Sequence, residues 1–181
     1  MKSEMSKNVL TNAMTKANQK IILLTKETSK KDTEINNLKM QVNDLNKENE
    51  CLVKKLYEKL EREGLFDDSK KKAIPKFPKR IGVVTAEKGD AVRDILSKIN
   101  ARWPLCEVLL FPSLVQGENA PSDLIRQIKR SENFDLDVLI VGRGGGSPED
   151  LWCFNDEKLA YAIYNYKNPI IVGVGHEIDF T

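Results

Sequence analysis

The chain has 181 residues, 40% hydrophobic and 31% charged, enough apolar material for one core with a polar remainder. Its 29 basic and 27 acidic side chains give a net charge of +2, which excludes a uniformly basic nucleic-acid-coating protein. The charge is uneven. Residues 1–80 hold 19 basic and 12 acidic side chains (+7), and residues 81–181 hold 10 and 15 (−5), so the two parts are expected to differ in role.

Cys51, Cys106 and Cys153 are widely spaced and form no C-x-x-C pair, which argues against a disulfide framework and a zinc site. The N-terminus lacks the apolar stretch of a secretory signal. Its longest aliphatic run, Ile21–Leu24, is far short of a membrane span. A soluble protein of a reducing compartment, without a membrane partner, is expected.

Residues 1–30 are polar and weakly periodic, and read as a frayed helix or disorder. From about residue 31, Ile35, Leu38, Val42, Leu45, Asn49, Leu52 and Leu56 follow alternating steps of three and four, the a and d positions of a coiled coil. Asn49 falls at an a position, where a buried amide fixes register. The same pattern also fits one amphipathic helix lying on a partner surface. Residues 1–63 are therefore expected to be a helical, coiled-coil-like segment, with self-association through residues 31–59. Gly64 follows the charged run EKLERE and should end the helix. Residues 64–80 read as a Pro/Lys-rich linker, because Pro75 and Pro78 forbid a continuous helix. The run Lys70–Lys72 reads as solvated surface.

From Ile81 short apolar runs alternate with amphipathic stretches. IGVVT (81–85), VLLFP (108–112), DVLIVG (137–142) and PIIVGVG (169–175) read as strands. Residues 91–102, 121–130 and a stretch from Pro148 or Asp156 to Tyr166 read as helices. Continuous apolar strands separated by helices imply an α/β fold, a parallel sheet with helices on both faces, over residues 81–181.

In such sheets ligands bind beyond the carboxyl ends of the strands, so the segments following them carry the chemistry. After the third strand comes GRGGGSPED. Gly144, Gly145 and Gly146 permit a tight turn and close backbone approach. Ser147 and Asp150 have the spacing of a capping-box variant. A glycine loop opening a helix offers backbone N–H groups and a positive dipole end to a phosphate, and Arg143 can grip phosphate oxygens bidentately. The loop is neither a Walker A motif nor a dinucleotide fingerprint. A tight turn beside a surface arginine is the plainer alternative. After the fourth strand comes GHEIDFT, with the only histidine, His176, near Asp179. A histidine beside a carboxylate suits acid–base work on a phosphodiester. Asp94 and Asp179 are alternatively candidate ligands of a divalent ion.

The blocks KLEREGLFDDSKKKAIPKFPKRIGVVTAEKGDAVRDIL, FPSLVQGENA, DVLIVGRGGGSPEDLWCFNDE and PIIVGVGHEIDFT, in that order, resemble the large subunit of bacterial exodeoxyribonuclease VII over about residues 54–181. The resemblance implies a cytoplasmic hydrolase of single-stranded DNA. Such an enzyme works from both the 5′ and 3′ ends, releases short oligonucleotides, and joins several copies of a small helical subunit. It implies catalytic positions at Asp94, Arg143, His176 and Asp179, with Gly144, Gly145, Gly146 and Ser147 holding phosphate. It leaves open whether Mg2+ or no cofactor is required. The chain departs from the family pattern in three ways. Residues 1–53 lack the alternating strands of the family's N-terminal OB-fold. The sequence stops at Thr181, short of the family's further catalytic and C-terminal regions. Ala86-Glu87 and Pro148 stand where Ser-Pro and Leu are usual. A non-catalytic coiled-coil interaction or DNA-docking protein is the alternative reading.

Overall fold

A computed structural model describes residues 2–175. The chain divides into two compact units, Met1–Lys54 and Lys55–Thr181. No helix among the described residues is long and apolar enough to cross a membrane.

The first unit is formed by helix α1, which runs from Lys2 to Arg62. Residues 2–30, expected to be frayed or disordered, are thus continuous with the heptad segment. Thr25, Thr28 and Thr33 each return their hydroxyl proton to the carbonyl four residues earlier, so these polar positions are satisfied within the helix.

The second unit begins with the last turns of α1. The helix ends in a Schellman motif. The Leu65 N–H donates to Leu60 O at 3.0 Å and the Gly64 N–H to Glu61 O at 2.9 Å, with Gly64 at φ 77°. Leu60 is buried, and Leu65 after the turn is half-buried. A Cβ at Gly64 meets no neighbour, so its cost is purely conformational. Gly64→Ala is expected to destabilise this unit by about 1 kcal/mol, read as a lower urea midpoint of tryptophan emission. Lys59 pairs with Glu157 at 2.6 Å, and the Tyr161 hydroxyl donates to Glu63, fixing the end of α1 on the helix that spans Glu157–Tyr164. The segment expected to be a linker, residues 64–80, has turns and bends and one 3-10 turn at Asp68–Lys70, where the Asp67 carboxylate accepts from the Ser69 N–H.

Four strands follow: β1 Arg80–Thr85, β2 Glu107–Pro112, β3 Val138–Arg143 and β4 Ile170–Val174. They form one parallel sheet in the order β2-β1-β3-β4. The helices between them are α2 Asp90–Arg102, α3 Ala120–Ser131, α4 Pro148–Leu151 and α5 Glu157–Tyr164. The third helical stretch is broken. Helix α4 is a single turn, then a 3-10 turn at Trp152–Asn155 precedes α5, whose Asp156 caps the Leu159 N–H at 2.8 Å. On one sheet face Val84, Phe111, Leu139 and Val141 pack with Leu124 and Ile128 of α3, Leu159 of α5 and Tyr166. Strand alternation puts Val83, Val138 and Gly142 on the other face, where Ile95 of α2 lies against Gly142. Helices therefore cover both faces, as continuous apolar strands require.

Asp137 joins the amino ends of β1 and β3: its carboxylate accepts the Lys79 and Arg80 N–H groups at 2.6 and 2.9 Å. These bonds, Arg80's first, hold its pKa below the usual carboxylate range. Asp123 is lowered likewise, chiefly by the Leu114 N–H. A lowered folded pKa adds stability above the unfolded value and loses it as pH falls through the folded value. Stability is therefore expected to fall below about pH 4. The double variant Asp123→Asn, Asp137→Asn should show a flatter acid limb in urea titrations at pH 2–5.

Candidate functional site

The strand order creates a switch point. The chain leaves β1 toward β2 on one side and β3 toward β4 on the other, so a crevice opens beyond the carboxyl ends of β1 and β3. Thr85 ends β1 and Arg143 ends β3. Thr85 is fully buried, and its Oγ1 has no hydrogen-bond partner among the described residues.

The Arg143 side chain is only 8% exposed. Its Nη2 donates to Gln116 Oε1 at 3.1 Å and lies 3.3 Å from an Asp150 carboxylate oxygen. Its Nη1 is buried without a partner among the described residues. Leaving a charged N–H buried and unpaired is costly, so the position suits an acceptor arriving from outside. An anion with several oxygens matches the guanidinium fork. Arg143 is therefore not the surface arginine of the plainer reading.

The glycine loop lies close over this guanidinium. A Cβ at Gly146 would lie 2.5 to 2.9 Å from Nη2, Nη1 and Cζ of Arg143. Any larger residue there would have to displace the guanidinium. Gly144 lies against α2: a Cβ there would meet that of Ala91 at 3.7 Å. Ser147 and Asp150 form the reciprocal pair expected, with the Asp150 N–H 3.4 Å from Ser147 Oγ and the Ser147 N–H 3.3 Å from Asp150 Oδ2. The same Oδ2 faces Arg143, so the capping pair also positions the guanidinium. The helix-dipole part of the sequence reading does not hold. One turn of helix sums too few peptide dipoles to attract an anion.

Asp94 lies in the second turn of α2, exposed, and no hydrogen bond or ion pair joins it to Arg143 among the described residues. Among those residues no three carboxylate, thiol or imidazole groups come together as a metal set, at Asp94 or elsewhere. His176 and Asp179 lie outside the described residues. Their chain neighbour Gly175 donates its N–H to Arg143 O at 3.3 Å.

Sequence reasoning missed Gln116 and Thr85. Gln116 sits in PSLVQGENA, which follows the second strand and falls in a block that resembles the family, but nothing in that block singles out the glutamine. Cys153 also borders the site, its Sγ 3.5 Å from Val115 O. Burial pushes its thiol pKa up, opposed by Arg143, which keeps it protonated and a poor nucleophile at neutral pH.

The family model for "Exonuclease VII, large subunit" matches residues 65–181. Proteins called exodeoxyribonuclease 7 large subunit in Staphylococcus aureus strains Newman, JH1 and Mu3 are similar to this chain. Each is 56% identical over 126 residues, which is 70% of this chain and 28% of the relative. The chain thus spans less than a third of the length of these curated relatives.

Proposed function

Since the chain belongs to the exonuclease VII large-subunit family, we propose that it is a large-subunit-like component of exodeoxyribonuclease VII. In this reading it hydrolyses phosphodiester bonds of single-stranded DNA from the 5′ and 3′ ends and gives short oligonucleotides. It works in the cytoplasm with several copies of the small subunit. The observation that carries the reading is Arg143, held under the glycine loop at the β1/β3 switch point with Nη1 unpaired among the described residues.

The scissile phosphate accepts from Arg143, from the backbone N–H groups of Gly144, Gly145 and Gly146, and from the Ser147 hydroxyl, since the Ser147 N–H is spent on Asp150. These donors stabilise the charge that builds on the phosphoryl oxygens as a water oxygen attacks phosphorus. Attack forms one P–O bond and breaks that to the leaving oxygen. His176 takes the proton of the water or supplies one to the leaving oxygen, oriented by Asp179. Asp94 orients the water.

Residues 81–181 carry −5, which repels a polyanion, so strand capture draws on the basic N-terminal part or on a partner.

The test is release of acid-soluble product from end-labelled single-stranded DNA, with EDTA or Mg2+, with and without a small subunit, beside His176→Ala. Product from the wild-type chain and not from His176→Ala is expected. Absence of product in every arm, from a chain with native tryptophan emission, overturns the reading.

A further inference from the structure

Helix α1 carries an apolar seam longer than the heptads from residue 31 suggest. Counting back in the same phase, a positions fall at Met14, Ile21, Thr28, Ile35, Val42 and Asn49. The d positions fall at Ala17, Leu24, Lys31, Leu38, Leu45 and Leu52. The phase holds without a stutter over residues 14–52, all helical. The large apolar members are open to solvent: Met14, Ile21, Leu24, Ile35, Leu38, Val42, Leu45 and Leu52 are 47–64% exposed. A helix with nothing packed on its apolar stripe is marginal in water, because helical stability comes chiefly from burying such a face.

We propose that residues 14–52 form a parallel, in-register, two-stranded coiled coil with a second copy of this chain. Three features select that occupant. β-Branched residues dominate the a positions (Ile21, Thr28, Ile35, Val42) and leucine the d positions (Leu24, Leu38, Leu45, Leu52), the combination that favours two parallel strands. Thr28 acts as a β-branched apolar residue there, because its hydroxyl is bonded to Leu24 O at 2.9 Å. Asn49 is the single amide among the a and d positions. In an in-register parallel pair it meets its own copy and both amides are satisfied. Antiparallel or shifted pairing sets it against an aliphatic side chain.

Charge at the seam edges agrees in part. In parallel pairing a g residue faces the e residue five positions on in the partner helix, which sets Glu34 against Lys39 of the second copy. The same rule sets Glu27 against Asp32, beside Lys31 in the core, so residues 27–32 are the weak point of the dimer. Ile22, Leu23 and Met40 fall off the seam and stay exposed in a two-stranded pair.

The test uses the full chain. Sedimentation equilibrium at micromolar concentration is expected to give twice the 20.5 kDa chain mass, with helicity falling on dilution. Leu38→Lys with Leu45→Lys should give a monomer with lower helicity. Its tryptophan emission should be unchanged, since Trp103 and Trp152 both lie in the other unit. Orientation is read by Leu52→Cys in a Cys51→Ser background under oxidised glutathione. In-register parallel helices bring the two introduced thiols together and give a covalent dimer that the background chain lacks. A monomeric wild type, a trimer or tetramer, or a dimer that the introduced thiols fail to cross-link overturns the proposal.

Discussion

Arg143→Ala is expected to lower hydrolysis of single-stranded DNA by roughly 10²–10³-fold, the usual cost of removing a preorganised donor to transition-state charge. Three observations set that size. The side chain is 8% exposed, so it acts where water screens poorly. Its Nη1 is unspent among the described residues, so no internal bond must break before it donates to a phosphoryl oxygen. Gln116 and Asp150 hold the fork from the Nη2 side, so little reorganisation remains. Arg143→Lys should rescue only a small part, because an ammonium cannot span Gln116, Asp150 and a phosphate at once. Gly146→Ala should mimic Arg143→Ala by pushing the guanidinium aside, since the new methyl would sit within 3 Å of it. Single-turnover rates on end-labelled DNA, with binding measured separately, decide the matter. A rate for Arg143→Ala within about threefold of wild type, far short of the usual donor loss, would remove Arg143 from the chemistry.

The sheet was legible because buried parallel strands have a plain signature. IGVVT and DVLIVG are uninterrupted apolar runs between turn residues, and both became central strands buried on both faces. The broken third helix was half legible: Pro148 and Asp156 each suit a helix start, and the chain uses both. The extent of α1 was less visible, because Thr28 and Lys31 occupy core positions and hide the phase between Leu24 and Ile35. At the site, Arg143 and its glycines could be read from one continuous motif. Gln116 could not, because its bond to Arg143 joins the segments at the ends of β2 and β3, on either side of β1, which no local spacing encodes. Nor could Thr85, whose burial follows from β1 being a central strand. The burial of Arg143 was also hidden, since it arises when the loop folds back over the guanidinium.

Leu124→Ala should have the largest effect on stability, about 3 kcal/mol. Leu124 is wholly buried on the face of α3 that meets Val84, Phe111 and Leu159. Alanine is the better helix former, so the substitution leaves the helix intact and isolates the cavity. With an m-value of about 1.5 kcal/mol/M, the urea midpoint should fall by about 2 M. Trp103 and Trp152 both belong to the α/β unit, so their emission follows its unfolding without a contribution from residues 1–54. Lys129→Ala, exposed on the same helix, should shift the midpoint little. A fall below about 0.5 M for Leu124→Ala, on the order of a surface change, would mean that α3 is not locked to the sheet. The pair Leu124→Ala and Arg143→Ala also separates folding from chemistry. A domain of ordinary stability stays mostly folded after losing about 3 kcal/mol. Leu124→Ala should then keep its nuclease rate at about 25 °C while its midpoint drops, and Arg143→Ala should lose its rate while its midpoint moves far less. If the two variants lost rate and midpoint in proportion, the arginine would be acting through the fold instead of on the phosphate.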